Sequence, residues 1–261
     1  MSRKIKLLIE YDGTVYGGWQ VQPNAVTIQE KIEEAIFKVT GEIIRIYAAG
    51  RTDAGVHALG QVAHFETESD IPANQIRLAI NSNLKDDIRI RKSEEASSSF
   101  HARYGAKGKV YRYSIYNDYV ASAVLRNTTY NVKEKLDITK LKAGAKYFIG
   151  EHDFSTYCSS GSDVIDKVRT IFDIRIKESL PLIEIDFEGS GFLYNMVRNM
   201  VGTLINVGKG KISPDDILDI IESKDRARAA FTAPAKGLCL LNVAYDEWFY
   251  KELKKMIIML S

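Results

Sequence analysis

Between Lys4 and Tyr11 the chain alternates: Ile5, Leu7, Ile9 and Tyr11 are apolar, while Lys4, Lys6 and Glu10 are charged. A period of two is the signature of a strand with one buried face. A helix follows a glycine-rich stretch, with Thr27 and Glu30 in capping-box register, Ile28, Ile32, Ala35, Ile36 and Val39 at helical spacing, and Gly41 as its stop. Strands are expected over 43–48 and 62–66, a helix over 72–82 and a strand over 88–92. From Gly108 the same order returns: a strand over 109–116, a helix over 138–148, strands over 168–177 and 182–187, a helix over 194–207 and a strand over 238–245. An additional helix with Ser213 as N-cap and Pro214 at its first position precedes the last strand. The order β-α-β-β-α-β, read twice, is that of a ferredoxin-like unit. No residue-level likeness links the two passes, so the repeat is one of element order. It predicts an α+β protein of two ferredoxin-like halves, 1–105 and 106–261, joined near 103–108.

Composition limits what such a chain can do. Hydrophobic residues make up 45% and charged residues 27% of 261 positions, as in ordinary folded proteins. Two cysteines, Cys158 and Cys239, stand alone, so neither a disulfide framework nor a CxxC pair is available. The charged, alternating N-terminus lacks the apolar run of a signal peptide. The stretch 189–208 approaches the length of a membrane span but carries Arg198 and three asparagines, and reads as a buried helix. A net charge of +2 confines any nucleic-acid surface to a local patch.

Four segments could carry chemistry. In GRTDAGVHALGQVAHF, 50–65, Asp53 is the one acid of a small-residue loop between two strand patterns. It is either a functional carboxylate or the Asx residue of a tight turn. A metal site of Asp53, His57 and His64 is a further alternative that lacks a third firm ligand. In FHARYGAKGKVYRYSIY, 100–116, Arg103, Lys107, Lys109 and Arg112 interleave with Tyr104, Tyr111, Tyr113 and Tyr116, and no acid falls between Glu95 and Asp118. Such a pattern suits phosphates and unstacked bases, or equally a strand with core tyrosines and a solvated basic face. In SGFLYNMVRNMVGTLINVG, 190–208, Arg198 is the sole charge; burying it demands an acid from elsewhere, structural or catalytic. YDGTVYGGWQVQP, 11–23, is neither a Walker loop nor a dinucleotide fingerprint. It reads as a connection, or as a functional loop presenting an exposed Trp19 to a substrate strand.

Together with FTAPAKGLCL, 231–240, the motifs YDGTVYGGWQVQP, GRTDAGVHALGQVAHF, KVYRYSIYN and GFLYNMVRNMVG resemble, in order and spacing, the TruA family of tRNA pseudouridine synthases. The resemblance runs from Ile5 to about Tyr245. It implies that Asp53 is the catalytic aspartate and that Arg51 handles tRNA. By the same resemblance Tyr111 is the active-site tyrosine, Arg198 the basic partner of the aspartate, and Leu238 an apolar lining of the base pocket. Gly105 and Cys239 depart from the family's common serine and aromatic. The resemblance further implies a homodimer that isomerises uridines 38, 39 and 40 of the anticodon stem-loop without metal, nucleotide or redox cofactor, while the lone cysteines and charged N-terminus suit the cytoplasm. The two central, mainly antiparallel sheets would flank a basic cleft carrying Asp53.

Overall fold

Ile5, Leu7, Ile9 and Tyr11 are all buried on one side of β1 (Arg3–Tyr11), as their alternation predicts. The structure is a computed structural model that describes residues 2–161 and 164–246. The chain divides into two compact units: Met1–Gly108 with Leu240–Ser261, and Lys109–Cys239.

In the first unit β1 is followed by α1 (Ile28–Thr40), β2 (Tyr47–Ala48), β3 (His57–Thr67), α2 (Ala73–Asn81) and β4 (Ile88–Ala96). The order in the sheet is β4-β1-β3, then β10 (Leu238–Ala244), whose residues from Leu240 onward belong to this unit; β2 also pairs with β3. Both neighbours of β1 run antiparallel to it, and β1 faces β3 from Arg3↔Thr67 to Tyr11↔Ala58. The capping box forms at α1: Glu30 N–H donates to the Thr27 hydroxyl, and the Glu30 carboxylate accepts the Thr27 N–H. Gly41, at φ 75°, ends the helix in the left-handed conformation that glycine adopts without a Cβ penalty. The apolar stripes of α1 (Ile28, Ile32, Ile36) and α2 (Ile76, Ile80) are buried and complete the core of this unit.

The strand expected over 43–48 contracts to Tyr47–Ala48. Its backbone has other partners: the N–H of Ile46 donates to the Glu33 carboxylate at 3.0 Å, and the Ile46 carbonyl accepts from the Gln29 amide at 3.2 Å. Side chains of α1 thus take bonds that a strand neighbour would have made. By contrast β3 starts at His57, five residues before the alternation predicts.

The second unit holds β5 (Gly108–Tyr116), β6 (Tyr130–Asn131), α3 (Ile138–Ala145), β7 (Gly150–Asp153), β8 (Val168–Ser179), β9 (Leu182–Gly189), α4 (Met196–Gly208) and α5 (Asp216–Glu222). Its sheet order is β5-β9-β8-β7, antiparallel at each step, with the short β6 parallel to β5. One face of β5 and β9 is core, with Tyr111, Tyr113 and Ile115 opposite Phe187, Ile185 and Ile183. On the other face the Arg112 guanidinium is bound by both oxygens of Asp186 (2.7 and 3.0 Å) and by Glu184 (2.9 Å). The basic and aromatic stretch therefore divides: Tyr111, Tyr113 and Arg112 serve the sheet, whereas Arg103, Tyr104 and Lys107 are exposed. The apolar run 189–208 yields α4, nearly every residue of which is buried. At α5 the N-cap is Asp215, two residues beyond the expected Ser213, whose N–H is bound by the Asp216 carboxylate at 3.0 Å. Among the described residues no helix is long and apolar enough to cross a membrane.

Candidate active site

The loop that carries Asp53 is tied down on each side. Before it, Ala49 N–H donates to the Val62 carbonyl at 2.7 Å, and the fully buried Gln61 donates to the Gly50 carbonyl at 2.8 Å. Within it, Val56 N–H closes a turn onto the Asp53 carbonyl at 3.1 Å, with Gly55 at φ 78°. The turn is thus made by the backbone of Asp53, which leaves the residue itself partly exposed, and Arg51 is exposed two positions earlier.

The glycine-rich loop 11–23 supplies the remaining braces. Trp19 N–H donates to the Thr52 carbonyl at 3.0 Å, and the Tyr11 hydroxyl and Thr52 Oγ1 share a buried hydrogen bond of 2.8 Å. Gly18, at φ 95°, passes so near that a Cβ there would lie 2.7 Å from the Thr52 carbonyl oxygen. A Cβ on Gly13 would lie 2.1 Å from the Val56 carbonyl oxygen. Trp19, expected at the surface, is only 2% exposed: its ring packs 5.9 Å from Tyr11, beneath the loop it helps to hold. Sequence reasoning singled out the segments 11–23 and 50–65 but missed the contacts of Tyr11 and Gly18 with Thr52 that join them, although the paired glycines Gly17 and Gly18 signal a close backbone approach.

The two histidines of the loop region are engaged. His57 is buried, its Nδ1 3.1 Å from both the Gly13 N–H and an Asp12 carboxylate oxygen. Burial alone would raise the Asp12 pKa; hydrogen bonds from Thr14 and the nearby His57 outweigh it and leave the carboxyl below its ordinary value. His64 Nδ1 accepts the Ala102 N–H at 3.2 Å. Burial, with the charges of His101 and Lys4, lowers the His64 pKa to about 4, so its ring is neutral. Among the described residues no group of three His, Cys, Asp or Glu side chains stands where it could hold a metal ion.

The second unit carries Tyr111, Arg198 and Leu238. Tyr111 lies buried on β5, its ring edge-on to Phe192 at 5.2 Å. Arg198, on the first turn of α4, donates through Nε to the Ala233 carbonyl and through Nη1 to the Asn195 amide oxygen, both at 2.7 Å. The segment 231–238 is seated along its length. A Cβ on Gly202 of α4 would lie 1.8 Å from the Phe231 carbonyl oxygen, and one on Gly237 would lie 2.6 Å from the Tyr113 ring. Tyr113, whose pKa burial pushes far up, keeps its proton and donates it to the Pro234 carbonyl at 2.8 Å. Leu238 follows directly, buried, as the first residue of β10. Arg51 and Asp53 therefore share one loop of the first unit, and Arg198 and Leu238 flank one segment of the second.

The class of this α+β chain is given by its relatives, which are isomerases that modify tRNA. The profile of a family described as tRNA pseudouridine synthase matches residues 7–105 and 145–246. The chain belongs to the tRNA pseudouridine synthases, isomerases that act on tRNA. It is 54% identical over 243 residues to tRNA pseudouridine synthase A of Acetivibrio thermocellus, covering 93% of this chain and all of that one. The enzymes of the same name from Caldicellulosiruptor saccharolyticus and Ruminiclostridium cellulolyticum are 51% and 50% identical, each over 93% of this chain and their full length. Arg51, Asp53, Arg198 and Leu238 lie inside the matched spans, and Tyr111 lies between them.

Proposed function

We propose that Asp53 is the catalytic carboxylate and that the substrate uridines are positions 38, 39 and 40 of the anticodon stem-loop. The observation that carries this reading is the Asp53 loop: one acid, partly exposed, on a backbone fixed by Thr52 from within and by Tyr11, Gly18 and Trp19 from outside. Catalysis depends on reactive groups held in place before the substrate arrives.

The reaction breaks N1–C1′, turns the base, forms C5–C1′, and releases the C5 proton while the freed N1 takes one up, so it is an isomerisation with no net redox change. A carboxylate serves as nucleophile at the sugar or ring, or as base at C2′, and each route needs Asp53 ionised. Arg51, Tyr111, Arg198 and Leu238 are the proposed substrate-binding residues: Arg51 toward the tRNA, Tyr111 against the target base, Leu238 as an apolar wall. Arg198 is proposed in addition as the cation that favours the charged form of Asp53. In this reading the first half, 1–105, brings the carboxylate and the second, 106–261, brings the tyrosine and the arginine. A stacked target must be extruded, at about a few kcal/mol, offset by stacking and phosphate contacts. A homodimer working in the cytoplasm completes the proposal.

Position-resolved mapping of pseudouridine in a tRNA transcript incubated with the purified protein alone tests it. Wild-type protein should modify positions 38–40, and Asp53→Asn should bind the transcript yet form no pseudouridine. Turnover by Asp53→Asn would remove Asp53 from the mechanism, and modification elsewhere in the tRNA would overturn the assigned positions.

A further inference from the structure

The stretch that interleaves basic and aromatic residues is only partly used by the sheet, and its remainder forms a surface of its own on the first unit. His101 Nδ1 accepts the N–H groups of Arg103 (3.2 Å) and Tyr104 (3.3 Å), and its carbonyl accepts from Gly105 (2.9 Å), so 101–105 is a tight turn built on one histidine. The Tyr104 ring rests on the His101 ring at 4.3 Å and 33°, yet Tyr104 is 79% exposed. His101 in turn stands 4.7 Å from His64 and 5.9 Å from Tyr47, whose own ring stacks on His64 at 5.4 Å and 27° and is 53% exposed. Neutral His64 binds the Ala102 N–H, and the Tyr245 hydroxyl donates to the Ala102 carbonyl at 2.8 Å, which fixes the turn from below.

Exposed aromatic rings on a rigid base are costly to leave in water and well suited to a flat apolar partner. The surrounding charge says which partner. Arg103 holds its guanidinium 6.0 Å over the Tyr104 ring. Among the described residues Arg51, Arg103 and Lys107 are exposed and make no ion pair. No acid occurs between Glu95 and Asp118. Faces for a base beside cations for phosphates are the elements of single-stranded RNA recognition. Tyr47 also lies on the strand that feeds the catalytic loop, six residues before Asp53, at most about 20 Å of extended chain away.

We propose that Tyr104, His101 and Tyr47, with Arg103, form a platform on which an unpaired nucleotide of the tRNA, other than the target uridine, stacks. The proposal rests on the tRNA synthase reading and adds a second contact outside the catalytic loop.

The test compares wild type, Tyr104→Ala, Tyr104→Trp and Arg103→Ala for binding of an unmodified tRNA transcript over a range of salt, and for pseudouridine formation at saturating tRNA. Tyr104 is exposed, so its variants should melt as wild type does. Tyr104→Ala should weaken binding roughly 5- to 150-fold, the worth of one base–aromatic stack. Its salt slope should stay unchanged and its turnover at saturation should remain within about twofold. Arg103→Ala should lower the slope of log affinity against log salt by about one. Tyr104→Trp should bind like wild type, with its indole emission quenched by tRNA. Wild-type affinity in Tyr104→Ala, or an unquenched indole in Tyr104→Trp, would overturn the platform. Binding without pseudouridine formation by wild type would overturn the enzymatic reading alone, and the Tyr104 comparison would still decide on the platform.

Discussion

The backbone N–H of Trp19 donates to the carbonyl oxygen of Thr52 at 3.0 Å, joining the glycine-rich loop to the residue that precedes Asp53. Two segments more than thirty residues apart in sequence thereby set one backbone, and the fit between them leaves no room for a side chain.

Gly18→Ala is the direct probe of that fit. The new methyl group would meet the Thr52 carbonyl at 2.7 Å and the Ala54 nitrogen at 3.1 Å, in a backbone of φ 95° that alanine resists. Strain of this kind costs about 1–3 kcal/mol and should lower the melting temperature by a few degrees. Because the loop must yield, single-turnover rates at saturating tRNA should fall tenfold or more. Wild-type rates in a correctly folded Gly18→Ala protein would show that the loop tolerates displacement.

The Tyr11–Thr52 hydrogen bond, buried and 2.8 Å long, should couple its two residues energetically. Tyr11→Phe leaves the threonine hydroxyl short of a partner, at a cost of about 1–3 kcal/mol. Combined with Thr52→Val the loss should be smaller than the sum of the single losses. Urea denaturation of the four proteins in the cycle reads the coupling; strict additivity would mean that the bond contributes nothing.

Arg198 has a structural task whatever its part in the chemistry, since it holds the Ala233 carbonyl and the Asn195 side chain. Arg198→Met should therefore lower the melting temperature. If the guanidinium also favours ionised Asp53, the same variant should lose tenfold or more in turnover, with the acid limb of its pH profile moved upward and tRNA affinity little changed. Lysine keeps the charge but not the planar fork, so Arg198→Lys should recover part of the rate. A folded Arg198→Met enzyme with wild-type single-turnover kinetics at neutral pH would confine Arg198 to its structural task.

His64 makes stability depend on pH in a definite direction. The unfolded chain takes up a proton near 6.5 and the folded chain only near 4, because burial disfavours the charged ring. Between these values the unfolded state holds more protons, so stability is full above 6.5 and falls as the pH drops toward 4. At pH 5 the loss from this one group is about 2 kcal/mol. His64→Gln, which keeps a donor and an acceptor but does not titrate, should flatten the difference between urea midpoints at pH 7 and pH 5. An unchanged difference would place the titration elsewhere.

Regular periodicity was legible in the sequence wherever burial imposed it. The alternation of β1, the capping box of α1 and the apolar run of α4 each correspond to an element found. The 43–48 strand failed because Gln29 and Glu33 bind the Ile46 backbone, a relation between a helix face and a loop that no local pattern records. Polar β7, with the sequence GEHD, has no apolar face to announce it. At the candidate site, a lone acid among small residues drew attention to Asp53 but fitted a tight turn as well, and only the family resemblance gave it a catalytic role. Its braces stayed hidden because they are backbone contacts between distant segments, and Trp19 looked like a surface residue until its burial under the loop was seen. Arg112 looked free to bind phosphate because its acids, Glu184 and Asp186, arrive from a strand some seventy residues later.

The first unit is completed by the last described strand of the chain. Gly60 of β3 lets the Leu241 carbonyl approach to where a Cβ would meet it at 2.2 Å, and Lys107 N–H donates to the Ala244 carbonyl at 2.8 Å. During synthesis, β1, β3 and β4 leave the ribosome well over a hundred residues before β10 does, so β3 waits with one edge largely unsatisfied. An unpaired, mostly apolar edge is an invitation to the wrong strand. Ribosome-bound chains stalled before residue 238 should therefore lean on chaperones, although every residue of the Asp53 loop and its braces has by then been synthesised.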